Sequence, residues 1–216
     1  MLSVYFSSVF TADNHSFPPS HKNVTPLTLD LMFTPNIALR KLIKLNSKSA
    51  EEPEGVPPIF LKRCAHVHSH SFAFLFEHFS IHLFYLQYSY MLYLKRWLTS
   101  PANYRPISLT CTTWKIMESI IKDWMSSALL AANLITKQQH AFISKHSTTS
   151  ILLECTSDWS LALNLKTPVD VIYIDVASAF YSAVHAKLVY KLYYLGFPSK
   201  LISCIEFFTT SRSQAS

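Results

Sequence analysis

The residue of this chain best suited to chemistry is Asp175, which closes the run Val-Asp-Val-Ile-Tyr-Ile-Asp at residues 169–175. The run is largely β-branched or aromatic and apolar on both faces, as in a covered central strand. A carboxylate at the tip of such a strand faces a cleft at the sheet edge. Nucleotidyl transfer uses carboxylates in that position to hold two divalent cations, and needs at least one more acid beside the first. The alternative for Asp175 is a turn former or helix cap after a strand. Beyond Asp175 the sole acidic side chain is Glu206.

The elements that would position this acid can be read from the rest of the chain. Its 216 residues are enough for one domain or two small ones. Half of them are hydrophobic and 15% are charged, which excludes bulk disorder. The two glycines, Gly55 and Gly196, exclude a glycine-rich phosphate loop. The +6 balance permits a polyanionic partner. Cys64, Cys111, Cys155 and Cys204 are widely spaced, so no zinc knuckle, redox pair or disulfide framework is expected. The N-terminal text has no basic region before its apolar stretch, so a reduced, intracellular setting is the default.

The first 30 or so residues read as irregular. Pro35 opens a helix with Ile37, Leu39, Leu42, Ile43 and Leu45 on one face. A proline-rich turn follows, then a helical IFLKRCAHVHSHSFAFLFEHF. His66, His68 and His70 would share a face on a strand and bind metal there, but do not converge on a helix. The uncharged text between Glu77 and Lys95 is broken by His78, His82 and Gln87, so it is read as other than a membrane span. PANYRPISL is extended, because each proline biases its predecessor away from helix. Thr112 or Thr113 caps a helix carrying Trp114, Met117, Ile120, Ile121, Trp124 and Met125. Ser147 or Thr148 caps another, with Ile151, Leu152, Cys155, Trp159 and Ala162 expected inward. A helix from about His185 ends at Gly196, and a last one holds Leu201, Ile202, Ile205 and Phe208.

Three blocks in this order carry a family resemblance. NYRPISL, QHAFISKHSTT and IDVASAF resemble the two fingers blocks and the first palm block of the reverse transcriptase of non-LTR (LINE-like) retrotransposons. Upstream text resembles the leader before that polymerase, and residues 79–96 read as degenerate against it. The resemblance implies an α+β fold: helical fingers plus the start of a right-hand polymerase palm, incomplete. It divides the chain into a leader at 1–97 and reverse transcriptase fingers with partial palm at 98–216.

The resemblance also implies roles. Asp175 matches the first metal-binding aspartate, a Mg²⁺ ligand. Phe180 matches the bulky residue under the incoming sugar, and the backbone of Val176 should approach the triphosphate. Arg105 lies in the first fingers block, where it either contacts phosphate or forms a salt bridge that fixes the fold. Lys145 lies in the basic part of the second block, either near nucleotide or template phosphate or as a solvated loop lysine. The implied partners are an RNA template, a DNA primer and deoxynucleotides, with no membrane and no defined protein partner. The sequence departs from the family at Tyr181, where an acid is usual, and at Ala141, where glycine is usual. One aspartate cannot place two metals, so a truncated polymerase inactive by itself is expected, with a non-catalytic nucleic-acid binder or inert remnant as the alternative. The unpaired strand predicts poor solubility.

Overall fold

The computed structural model describes residues 16, 33–47, 56–78, 88–93, 104–109, 111–176, 179 and 183–210; for 88–93 and 104–109 it describes the backbone. The elements in chain order are α1 (Pro35–Ile43), α2 (Pro58–Arg63), α3 (Ala65–His78), β1 (Tyr88–Tyr93), β2 (Tyr104–Leu109), α4 (Thr112–Ala131), α5 (Thr148–Asn164), α6 (His185–Tyr194) and α7 (Ser199–Thr210). Two compact units result: residues 1–124 with 178–216, and residues 125–177.

The first unit holds the core. Thr34 caps α1, its hydroxyl accepting from Ile37 N–H at 3.3 Å, and Pro35 occupies the first turn where its missing N–H costs nothing. The predicted face of α1 then packs on α3, with Leu42 fully buried. Leu61, Ala65, Phe72 and Phe76 come from α2 and α3, and Trp114, Ile116, Met117 and Ile120 from α4. Phe33 meets Phe76 edge-on, and Trp114 stacks on Phe208 of α7. At the start of α4 the cap is Cys111, whose sulfur accepts from Trp114 N–H at 3.4 Å. Lys41 of α1 pairs with Asp123 and donates to Ser119 O at 3.2 Å, which ties α1 to α4.

Tyr104–Leu109 is extended as its prolines require, and pairs antiparallel with Tyr88–Tyr93, Arg105 opposite Leu92 and Pro106 opposite Met91. A proline is tolerated there because both strands of a two-stranded ladder are edges.

Three helices end alike. After α4, α5 and α6 the chain turns left-handed at Asn133 (φ 52°), Lys166 (φ 53°) and Gly196 (φ 76°). The next N–H then reaches back to a helix carbonyl: Leu134 to Leu129, Thr167 to Ala162, Phe197 to Leu192, at 3.0–3.2 Å. Only the glycine announced itself in the sequence.

The expected α+β fold with a polymerase palm is not what the chain adopts. The described residues are predominantly helical, and residues 169–176 are irregular. The physical reason is pairing: a strand is stabilised by a neighbour's backbone, and 169–176 make no hydrogen bond to any other described residue. Ile172, Tyr173 and Ile174 are 83%, 86% and 88% exposed, so the expected covered strand is bare. The inward face expected for α5 fails too. No residue of α5 is buried; Cys155, Trp159 and Ala162 are half-buried, while Ile151 and Leu152 are exposed.

Two predictions follow from where burial lies. Leu42→Ala removes a fully enclosed side chain and should cost about 2–5 kcal/mol. Leu153→Ala, on exposed α5, should stay within about 0.5 kcal/mol in the same denaturant titration. Equal costs would contradict the placement of the core.

The second concerns Cys204, free and buried on α7. Burial, with the Glu118 carboxylate adding to it, pushes its thiol up to about 11 from 9.0. The neutral thiol is the form the fold favours. Its stabilising contribution is therefore complete below pH 9 and disappears as pH rises through about 11. Iodoacetamide, which reads the thiolate, should label half-exposed Cys64 and Cys155 well before Cys204 at neutral pH. Cys204 reacting as fast as Cys64 would refute this.

Candidate functional site

The second unit carries most of the sequence-predicted site. Asp175 is exposed at the end of the irregular 169–175 run, and Val176 beside it is 61% exposed. Lys145 is exposed in the loop 132–147, between α4 and α5. Arg105 belongs to the first unit; its backbone sits in β2, and that position is all the structure describes of it. Phe180 lies outside the described residues. Asp175, Val176 and Lys145 thus share a unit.

A two-metal centre requires several carboxylates converging on one point. Among the described residues no group of three or more His, Cys, Asp or Glu side chains is arranged to hold a metal ion. Mg²⁺ keeps several of its waters and is held by one or two carboxylates with substrate phosphates, so a single exposed carboxylate does not by itself place two such ions side by side. The residues described around Asp175 do not fit a metal pair. His66, His68 and His70 lie on helical α3, where alternate positions point apart.

The built polar site is around α5. Ser147 caps the helix: its Oγ accepts from Ser150 N–H at 3.2 Å, and its own N–H donates to Ser150 Oγ at 2.9 Å. This reciprocal pair satisfies two amide donors that a helix start otherwise leaves open. His140 joins the same cluster. Its Nδ1 is 2.8 Å from Ser150 Oγ and its Nε2 is 2.8 Å from Glu154 Oε2. A hydroxyl, an imidazole and a carboxylate in contact have the residue types of a nucleophilic triad. Ser150 Oγ, however, also donates to Ser147 O at 2.8 Å. The hydroxyl thus also serves the helix cap through Ser147 N–H and Ser147 O, and the set fastens the loop before α5 to the helix start.

The loop before α5 has a second feature. Phe142 and Lys145 hold φ of 63° and 67°. Ala141, where the family usually has glycine, does not take a positive angle; the neighbouring Phe142 does. Lys145 sits inside a turn closed by His146 N–H to Ile143 O at 3.3 Å. Sequence reasoning placed Lys145 but missed His140. The available signal was the i, i+4 pair Ser150 and Glu154, two polar groups on one face of the helix.

Residues 95–215 match the family model for reverse transcriptase, the RNA-dependent DNA polymerase. The match spans more than half of the chain and contains all three sequence blocks. The chain belongs to the reverse transcriptase family. No curated protein matches it. Reverse transcriptases generally use Mg²⁺ and bind a nucleic-acid template and primer. Among the described residues, no helix of this reverse transcriptase chain is long and apolar enough to cross a membrane.

Within the second unit the exposed run Val169–Val176 is a hazard: apolar, extended in composition and without backbone partners among the described residues. The double variant Ile172→Lys/Ile174→Lys should raise the concentration at which the chain stays soluble, with stability changed by less than about 0.5 kcal/mol. Light scattering across a concentration series measures this. Unchanged aggregation would show that another surface is responsible.

Proposed function

We propose that this reverse transcriptase chain derives from a non-LTR retrotransposon, with residues 1–97 as leader text and 98–216 as the polymerase portion. The observation that carries the reading is the order of NYRPISL, QHAFISKHSTT and IDVASAF inside one family match. In this reading Lys145 meets a phosphate of template or nucleotide. Arg105 contributes a second cation from the first block, and Val176 and Phe180 border the incoming nucleotide. Asp175 is the metal-binding acid. A cation near phosphate lowers the energy of the bound strand by Coulomb attraction and by releasing condensed counterions.

We further propose that the chain does not extend primers by itself. Asp175 is exposed and, among the described residues, belongs to no group of three or more metal-ligating side chains, and one carboxylate cannot hold both metals in line with an attacking hydroxyl. That same observation favours a second reading, a non-catalytic nucleic-acid binder using the +6 balance.

The test is primer extension on an RNA template with Mg²⁺, alongside RNA affinity at increasing salt. The expected result is no extension, with log affinity falling as log salt rises. Extension that Asp175→Asn abolishes would overturn the inactivity proposal. Affinity that is flat between low and physiological salt would remove phosphate contact from the account.

A further inference from the structure

The loop before α5 contains two non-glycine residues, Phe142 and Lys145, in the left-handed region. Such a backbone crowds Cβ against its own carbonyl, and persists where the surroundings over-determine it. The side chain placed to do that is His140.

The His140 side chain is 10% exposed. On one side it meets α5 through Ser150 and Glu154, both at 2.8 Å. On the other lies the ring of His146, with centroids 4.8 Å apart and planes at 56°. The segment 140–146 therefore begins and ends at the same imidazole. The next residue, Ser147, is the cap of α5. One ring thus holds both ends of the loop and fastens them to the helix start.

Hydrogen-bond chemistry makes this contact robust. A carboxylate only accepts, so Nε2 carries the proton shared with Glu154. Ser150 Oγ accepts from Ser147 N–H and has one proton to give. With a neutral ring that proton goes to Nδ1. With an imidazolium, Nδ1 donates and the hydroxyl turns to Ser147 O. Both ring nitrogens stay bonded in either state, and His146 and Glu154 are the titratable groups that face the ring.

We infer that His140 is a positioning residue: its ring ties the loop 140–146 to α5 and so fixes where Lys145 presents its ammonium to a nucleic-acid phosphate. This rests on the reading of Lys145 given above. It adds that the lysine's grip depends on an imidazole five residues away, and on the carboxylate that orients that imidazole.

The experiment compares single-stranded RNA affinity across a salt series for the full chain and five variants: Lys145→Ala, His140→Ala, the double variant, Glu154→Gln and Glu154→Ala. Lys145→Ala should weaken binding several-fold and flatten the log–log salt slope by about 0.7, one phosphate contact on a single strand. His140→Ala should do the same, and the double variant should bind no more weakly than Lys145→Ala. Glu154→Gln should bind like the parent, because its amide oxygen still accepts from Nε2, whereas Glu154→Ala should follow His140→Ala. If Lys145→Ala weakens binding and His140→Ala does not, the positioning role is wrong while the nucleic-acid reading stands. If Lys145→Ala changes nothing, that reading fails at this residue. Tryptic cleavage after Lys145 then decides the clamp. It should be several-fold faster in His140→Ala and in Glu154→Ala, whose exposed carboxylate is safe to remove, and unchanged in Glu154→Gln. Equal cleavage rates in all of these sink the inference.

Discussion

Apolar surface stabilises a fold only where another surface covers it, and here that requirement is met on one part of the chain and not on another. Leu42, Phe72, Phe76, Trp114 and Met117 cover one another, drawn from three helices far apart in sequence. α1 and α4 each carry an apolar face, and α1, nine residues long, is too short to be stable without its neighbours. The Lys41–Asp123 pair and the Lys41 bond to Ser119 O set the register of α1 on α4. Such partly exposed pairs contribute little energy and mainly select geometry.

The unit 125–177 is held differently. α5 buries no side chain. What defines it is local hydrogen bonding: the reciprocal Ser147–Ser150 cap, the left-handed ending at Lys166, and the His140 contacts that draw the preceding loop onto its first turns. These bonds fix where the helix starts and stops. They do not replace a core, and the run from Val169 to Val176 remains apolar and exposed beside it. The residues that a reverse transcriptase would turn toward nucleic acid, Lys145 and Asp175, lie within this locally held part.

How much of this the sequence disclosed depends on the range of the interaction. Helix starts at Pro35 and Ser147 were legible because a proline in the first turn and a hydroxyl cap act within four residues. The ending at Gly196 was legible because only glycine enters the left-handed region without steric cost. The left-handed angles at the matching endings, Asn133 and Lys166, were not, since side chains there tolerate the angle only because the helix bonds reward it. The misreading of 169–175 has the same root. β-branched composition records a preference for strand, but a strand needs a partner, and pairing is not written in the run itself. The inward face assigned to α5 failed likewise, because periodicity shows which residues could be covered and says nothing about what covers them. His140 escaped notice because its partners lie 10 and 14 residues away, and imidazoles carry no periodic signal.

The most direct test of this division is residue-resolved amide hydrogen exchange on the full chain. Amides in the middle of α1 and α4 should exchange only through global opening, with the slowest rates in the molecule. Those in the middle of α5 should exchange much faster, through local opening of a helix with no buried face. If α5 amides proved as slow as those of α1, the helix would have to be covered by packing, and the account of a locally held unit would be wrong.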